Sequence, residues 1–433
     1  MKKALILVLA LVIALSMSLV SCGGGGGDDK TASGKITVIL PDNEFDQVGF
    51  LKSKTEQFTE ETGIEVELIN KGWEAVADDV LGDLASGGGS YDVIEFDNAW
   101  VAKFIQNEWV KPLNDYMDDE MMDGMLPGLI DKFSADGQVY GITNNNDTRF
   151  YMYNGKMLED AGVADAPKTW DEVAKLAATV QEKGIADYAY LDTYKQEQMG
   201  TNELLFAIYS FGGELIDDQG NPVANSNAGA KEAYTFLAQA YKDRVFGESS
   251  LSITYDEVAD SFYGGNFPLF LQAWPGVYAD ANDPEKSKIV DQIRVADYSV
   301  SKTGDEQVVL TLPEAMAIPS TSDNPEAAFE YIKFMSSKEF DKERALTIGA
   351  LPIWSDLYND PELLEKYPYW EQFGKQAQNQ RGYPDIIWVD AFADVVAKVS
   401  QSILTGSKSV DDGLNEMQKL LESAKAESEA AEQ

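Results

Sequence analysis

Carboxylate, amide and indole side chains follow predicted strands at three separate places in this chain. Carboxylate and amide groups each form hydrogen bonds with more than one hydroxyl group, and bonds to a charged acceptor are the stronger ones. Indole and phenol rings bury an apolar face without needing a polar partner there. A buried polar group left unpaired costs about 1–3 kcal/mol, so a fitted set of such groups discriminates between stereoisomers. These residue types therefore suit a small ligand with hydroxyl groups on its rim and C–H bonds on its faces.

The first place is the end of the strand-like run 91–96, where Asp97 and Trp100 follow. In open α/β sheets, ligands collect at the carboxyl ends of the strands. The same residues also fit a simpler interpretation, in which Asp97 caps a helix and Trp100 packs in the core. The sequence leaves both interpretations open.

The second place is the stretch 139–156, which has a strand-like start and six consecutive polar residues at 143–148. These include Asn145 and Asp147, and an alternating aromatic strand resumes at Phe150. Asn and Asp favour turns and non-helical backbone. The stretch is therefore either a surface hairpin turn or a crossover between two lobes whose amide and carboxylate side chains face a ligand.

The third place is a short predicted strand at 268–271, which follows two glycines. Gln272 and Trp274 emerge at its carboxyl end. A polar residue and a tryptophan thus leave a strand for the second time, which supports a shared site.

Strands and helices alternate from the start of the chain, which predicts a parallel or mixed sheet covered by helices. Strands are predicted at 36–40, 64–69, 91–96, 268–271, 293–298, 308–312 and 315–319, with a break at Pro313-Glu314. Helices are predicted at 48–62, 73–85, 170–183, 202–211, 227–245, 256–262, 324–336, 338–347, 371–380, 385–405 and 409–424. Thr169 and Glu172 form the capping-box pattern at the start of the third of these.

Composition excludes several kinds of site. The 433 residues include 34 basic and 74 acidic ones, a net charge of −40 that repels nucleic acid. Histidine is absent and Cys22 is the single cysteine. A histidine-based triad and a Cys/His zinc site are therefore excluded.

The first residues predict export and not a folded element. Two lysines precede the apolar run 4–15, and Leu19-Val20-Ser21-Cys22 closes it. Such a run is too short for an ordinary membrane span and is typical of a secretory signal. Its ending resembles that of a bacterial lipoprotein signal, which implies cleavage after residue 21 and lipidation of Cys22. Residues 22–35 then form a flexible, glycine-rich tether to the membrane.

Four segments, in this order, resemble the extracellular solute-binding proteins of ABC importers, in the sugar-binding branch that includes maltose-binding protein. They are YDVIEFDNAWVAKFIQNEWVKPL at 91–113, GQVYGITNNNDTRFYMYNGKMLEDAG at 137–162, FYGGNFPLFLQAWPG at 262–276 and EAMAIPSTSDNPEAAFEYIKFMSS at 314–337. The resemblance implies an α/β, two-lobed periplasmic-binding-protein fold (type II) with mixed sheets, helices on their faces and a hinge of crossing strands.

The resemblance also implies a division of the chain. Residues 36–143 and 296–345 are expected to form lobe 1, and residues 144–295 and 346–424 lobe 2. Residues 425–433 are expected to be a frayed tail.

Ligand-binding residues follow from the same resemblance. The implied set is Asn43, Glu44, Trp73, Asp97, Trp100, Asn145, Asp147, Gln272, Trp274 and Tyr383. The implied ligand is a sugar or small oligosaccharide, delivered to importer permease subunits, and a monomer held to the cell membrane by its lipid is expected. No catalytic residue, metal, cofactor or nucleic-acid partner is expected.

Two alternatives stay open. The same fold could bind a polyamine or other cationic solute, because acidic residues around aromatic rings can cage a cation. An exported carbohydrate-active enzyme needs only two suitably spaced carboxylates, and 74 acidic residues allow such a pair.

Overall fold

The computed structural model describes residues 34–41, 49–305, 307–377 and 379–431. The predicted leader, Cys22 and the predicted ligand residues Asn43 and Glu44 lie outside the described residues. Within the described ranges, no helix combines the length and the apolar composition needed to cross a bilayer.

Short runs rich in β-branched and aromatic residues form the strands, and amphipathic runs form the helices. The strands of the described chain are β1 (Lys35–Pro41), β2 (Glu65–Lys71), β3 (Val93–Asp97), β4 (Ser134–Ala135), β5 (Gln138–Val139), β6 (Ile142–Asn145), β7 (Phe150–Asn154), β8 (Leu269–Ala273), β9 (Ile293–Val295), β10 (Val309–Leu310), β11 (Glu314–Ala317) and β12 (Gln380–Arg381). The α-helices are α1 (Phe50–Thr62), α2 (Trp73–Ala85), α3 (Val101–Gln106), α4 (Asp119–Gly124), α5 (Pro127–Lys132), α6 (Gly155–Ala161), α7 (Trp170–Glu182), α8 (Gln198–Ser210), α9 (Ala228–Lys242), α10 (Tyr255–Tyr263), α11 (Val277–Ala281), α12 (Pro325–Met335), α13 (Lys338–Ile348), α14 (Pro361–Lys366), α15 (Trp370–Gln376), α16 (Val389–Leu404) and α17 (Val410–Ala431).

The first sheet is mixed and has five strands in the order β2-β1-β3-β11-β6. β1 pairs in parallel with β2 and β3, whereas β11 runs antiparallel to β3 and β6. Because parallel neighbours need a crossover connection, α1 joins β1 to β2 and α2 joins β2 to β3. The mixed sheet with covering helices is therefore as predicted.

The second sheet is antiparallel and has three strands in the order β8-β7-β9. Helix α7 begins with the predicted capping box, in which the side chains of Thr169 and Glu172 bond to each other's backbone N–H groups. Trp170, directly after that cap, is buried and donates its indole N–H to Ser210 Oγ at 2.7 Å. The capping box thus starts α7 and also fixes the position of Trp170 in the core.

Residues 146–149 cross from the first sheet to the second. β6 pairs with β11 in the five-stranded sheet, and β7 pairs with β8 and β9 in the three-stranded sheet. The hairpin interpretation of this stretch is wrong, because β6 and β7 do not pair with each other. The stretch is a crossover, as the alternative interpretation predicted.

A second segment runs beside this crossover. The Leu312 N–H donates to the Asp147 carbonyl oxygen at 2.7 Å, and the Arg149 N–H donates to the Leu310 carbonyl oxygen at 2.8 Å. β10 also pairs in parallel with β12, so residues 380–381 lie alongside. The chain therefore passes side by side through this region three times.

Three predicted boundaries are corrected. β11 begins at Glu314, where the sequence predicted a break, because Pro313 lacks only its own N–H and the next residue pairs normally. α16 begins at Val389 and not at 385, since Ile386 donates to the Pro384 carbonyl oxygen in a tight turn. α17 continues to Ala431 instead of ending at 424, which suits its residues of high helix propensity.

Candidate functional site

A cleft of about 220 Å³ lies where the two sheets face each other. The first sheet contributes Asn145 at the end of β6 and Glu314 at the start of β11. The second sheet contributes Trp274, directly after β8, and the crossover contributes Asp147. Residues far apart in sequence thus meet at one cavity because both sheets direct their strand ends toward it.

Asp147 is held in this cleft by an ion pair with Arg149. The Arg149 Nε and Nη2 atoms both donate to Asp147 Oδ2, at 3.0 and 2.5 Å. Both side chains are largely buried, with 13% of Asp147 and 6% of Arg149 exposed. Burial raises the pKa of Asp147 above its usual value, and the Arg149 guanidinium opposes that rise. The carboxylate is therefore a fixed acceptor in a partly dry environment.

Glu314 is a second carboxyl group of the cleft, and Asn145 Nδ2 donates to its Oε2 at 2.8 Å. Burial raises the pKa of Glu314 to about 8; the Asn145 hydrogen bond opposes this rise, and the nearby carboxylates of Asp97 and Asp147 add to it. Glu314 consequently carries a proton at neutral pH. It can both donate a hydrogen bond to a ligand and accept one.

This protonation predicts a pH dependence of stability. The folded-state pKa of Glu314 lies above the value of 4.5 expected when unfolded, so its stabilising contribution is complete below 4.5 and is lost as pH rises through about 8. We expect the wild-type chain to lose about 1–2 kcal/mol more stability than Glu314→Gln between pH 5.5 and 8.5, allowing for solvent screening. Thermal melts of both chains across that range measure it, and parallel curves would contradict it.

Three aromatic rings complete the cleft. They belong to Trp274, Tyr255 at the start of α10 and the half-buried Trp73 at the start of α2. The Trp274 ring lies on Gly276, where an added Cβ atom would come within 1.5 Å of the indole. Only glycine at position 276 therefore allows the ring its present place.

Four of the predicted site residues thus lie together. The structure brings Trp73, Asn145, Asp147 and Trp274 to one cleft. Their contact with a ligand remains a proposal.

Four other predicted residues do not line this cleft. Trp100 is 1% exposed and stacks on Phe104 with ring centres 5.4 Å apart, so the core interpretation is correct for it. Gln272 is fully buried within β8, and its Nε2 donates to the Leu271 carbonyl oxygen at 2.7 Å. Tyr383 is 4% exposed and packs edge-on against Phe392. The expectation that these side chains face the cleft is corrected, since packing inside the protein uses their surfaces.

Asp97 is the fourth. Its Oδ1 accepts the Ala99 N–H at 2.8 Å and a hydrogen bond from Gln198 Nε2 at 3.3 Å, so it closes the turn after β3. It does not cap α3, whose N-cap residue is Trp100, so the helix-cap interpretation is wrong. Burial raises the pKa of Asp97 to about 6, although the hydrogen bonds from Ala99 and Gln198 lower it. Asp97 does not line the cleft, but its carboxylate adds to the rise in the pKa of Glu314, which does.

The sequence missed Arg149, Tyr255 and Glu314. Glu314 follows a proline at a predicted break, and its place opposite Asp97 depends on the long-range pairing of β11 with β3. Arg149 sits two residues from a predicted site residue, which was the one signal available. Among the residues that the structure describes, no group of three or more acidic or cysteine side chains could hold a metal ion.

Comparison with known sequences gives a consistent result. The model of a family described as bacterial extracellular solute-binding protein matches residues 45–342. A probable amino-acid ABC transporter periplasmic-binding protein of Sinorhizobium fredii is 28% identical over 321 residues, covering 72% of this chain and 71% of that protein. An arabinooligosaccharide-binding protein of Bacillus subtilis is 22% identical over 388 residues, covering 86% of each.

Solved structures agree on the fold. Maltose-bound MalE3 of T. maritima superposes with a TM-score of 0.82 at 24% identity, covering 90% of this chain and 99% of that one. A mannitol-bound solute-binding protein of Agrobacterium vitis gives a TM-score of 0.77 at 21% identity, covering 91% and 99%. The chain therefore has the two-lobed α/β fold of these proteins, with the cleft between its lobes.

Proposed function

This chain belongs to the bacterial extracellular solute-binding protein family, and from that premise we propose that its cleft captures a sugar or small oligosaccharide for an ABC importer. The observation that carries the proposal is that Asp147 and Trp274 line the same cavity. The same cavity then offers a carboxylate to the hydroxyl groups of a sugar and an aromatic ring to its C–H face. The relatives described as binding maltotriose, arabino-oligosaccharide and mannitol support this ligand class.

The crossing segments suit a hinge. We propose lobe 1 as residues 36–143 with 296–345, and lobe 2 as residues 144–295 with 346–424. Lobes joined in this way close around a ligand by small changes in the joining segments. To raise the population of the closed form from 1% to 99%, a ligand must bind that form about 5.5 kcal/mol more favourably than the open form. The permease subunits would recognise the closed form.

The proposal includes the setting of the protein in the cell. The leader and Cys22 support lipid anchoring to the cell membrane, on its periplasmic or extracellular face, and we propose that the anchored protein is a monomer. We propose a binding role without catalysis: of the carboxyl groups that line the cleft, Asp147 is paired with Arg149 and Glu314 accepts a hydrogen bond from Asn145.

A cationic solute is the second candidate. Glu197 and Asp256 line the cleft beside its aromatic rings, and acidic groups around such rings attract cations. The S. fredii relative, described as a probable amino-acid transporter component, adds to this candidate.

A thermal-shift screen separates the two candidates. The chain without residues 1–22 is melted with maltose, maltotriose, arabinotriose, D-mannitol, spermidine and lysine. A ligand at 100 times its Kd stabilises the folded state by about 2.7 kcal/mol. With an unfolding entropy of about 2.1 cal/mol/K per residue, this raises Tm by roughly 3 °C. We expect that shift with at least one of the four carbohydrates, and a shift with spermidine or lysine alone would contradict the proposal.

A further inference from the structure

The Arg149 guanidinium leaves one oxygen of Asp147 open. Both of its donated hydrogen bonds fall on Oδ2, at 3.0 and 2.5 Å. In the described part of the chain, no hydrogen bond reaches Asp147 Oδ1. The carboxylate is thereby fixed in orientation by one oxygen and available to a ligand through the other.

The same guanidinium packs on the ring of Tyr255, which holds the backbone of Trp274 at the end of β8. The Arg149 Cζ atom lies 4.4 Å from the centre of the Tyr255 ring. The Tyr255 hydroxyl donates to the Gln272 carbonyl oxygen at 2.8 Å and accepts the Trp274 N–H at 3.0 Å. Arg149 therefore contacts the ring of Tyr255, and the hydroxyl group of that ring fixes the backbone of Gln272 and Trp274 through these two hydrogen bonds.

The position of Arg149 on the crossover fixes it relative to both lobes. Its N–H group donates to the Leu310 carbonyl oxygen on the returning segment. Behind the guanidinium lie the buried carboxyl groups of Asp192 and Glu203, and burial raises the pKa of both. The guanidinium donates its hydrogen bonds to Asp147 Oδ2, so Asp147 is the ion-pair partner of Arg149.

We infer that Arg149 is a positioning residue of the cleft: it holds Asp147 Oδ1 and the Trp274 indole at a set spacing, and so determines which carbohydrates fit. This inference rests on the proposed function. Arg149 also lines the cleft, and its Nη1 atom is buried without a hydrogen-bond partner among the described residues. Its assignment as a positioning residue rests on its contacts with Asp147 and Tyr255. Lysine cannot replace it, since an ammonium group lacks the planar fork that both donates twice and stacks on a ring.

Isothermal titration between pH 5.5 and 8.5 tests this in the full chain, with maltose, maltotriose, arabinotriose and D-mannitol as probes. Arg149→Gln removes the charge that opposes the rise in the pKa of Asp147. The affinity of that variant should be at least tenfold lower, and should fall further toward low pH as Asp147 takes up a proton. The carboxyl groups of Asp97, Glu203 and Glu314 and the phenol of Tyr255 also interact electrostatically with Asp147. Because the Arg149 charge also lowers the pKa of Asp192, Glu203, Glu314 and Tyr255, a double variant of Asp147 and Arg149 isolates the contribution of Asp147.

Three further variants complete the test. Arg149→Lys keeps a positive charge beside Asp147, so the pH profile of its affinity should match that of the wild type. Because lysine lacks the planar fork, its affinity should be several-fold lower. The double variant Asp147→Asn with Arg149→Gln should lose the extra pH dependence altogether. The control Arg344→Gln breaks another buried ion pair, with Asp341 at 2.9 Å, and should lower Tm with affinity within twofold of wild type.

Two results overturn the inference while leaving the proposed function intact. One is an Arg149→Gln affinity within twofold of wild type. The other is a loss of affinity by the same factor at every pH, which is what a purely structural role predicts. If the wild-type chain binds none of the four carbohydrates, the proposed function fails, and the inference fails with it.

Discussion

Trp274→Ala should weaken carbohydrate binding by about 100-fold, because buried aromatic anchors contribute roughly 2–4 kcal/mol when truncated. The ring is 6% exposed and lines the cleft. Tm should fall by only a few degrees, since the ring lies at the edge of the core and the backbone at residue 274 is still held by the Tyr255 hydroxyl. Isothermal titration with the carbohydrate that gives the largest thermal shift measures the loss.

A matched tryptophan separates the cleft from the core. Trp170 is 2% exposed and packs against Phe206, Phe211 and other rings, none of which lines the cleft. Trp170→Phe should lower Tm and leave affinity within twofold of wild type. Equal losses of affinity in the Trp170 and Trp274 variants would mean that Trp274 acts through stability alone.

Asp147→Asn should reduce affinity by roughly 10- to 100-fold. Hydrogen bonds to charged groups contribute about 1.5–3 kcal/mol, and asparagine keeps the shape of the side chain while losing its charge. The change also leaves the buried Arg149 without its anionic partner, which costs about 3–5 kcal/mol of stability. We therefore expect affinity and Tm to fall together in this variant, by titration and by thermal melt.

Asp341→Asn supplies the control for that second effect. It breaks the buried pair with Arg344, while the new side chain can still accept the Ile353 N–H. Its Tm should fall by a similar amount, with little change in affinity. If Asp341→Asn lost affinity as strongly as Asp147→Asn, the ligand would not depend on the carboxylate of Asp147.

Local pattern was sufficient to predict much of this fold. The runs at 36–40 and 64–69 alternate or carry β-branched residues, and they form β1 and β2. α2 occupies 73–85 as predicted, because a glycine-rich break follows it. The register of β11 could not be predicted in this way, since it pairs with strands more than 150 residues away and no local feature encodes that pairing.

The site was harder to predict than the fold. Asp147 and Trp274 stand at ends of strands that point into the cleft, so the strand-end rule found them. The same rule selected Trp100 and Gln272, which have similar sequence surroundings but face the core. The direction of a side chain at a strand end depends on the twist and pairing of the whole sheet. Because a tryptophan or glutamine can occupy either the cleft or the core, the residue type does not decide between the two. Arg149 and Tyr255 were missed because their roles come from contacts with each other and with Gln272 and Trp274.

The most direct test of this account is a crystal structure with the carbohydrate that raises Tm most. We predict that Asp147 Oδ1 accepts a hydrogen bond of about 2.5–3.0 Å from a ligand hydroxyl group. The Trp274 ring should lie against a C–H face of the same molecule. A ligand bound elsewhere, or one that contacts only one of these two side chains, would contradict the account.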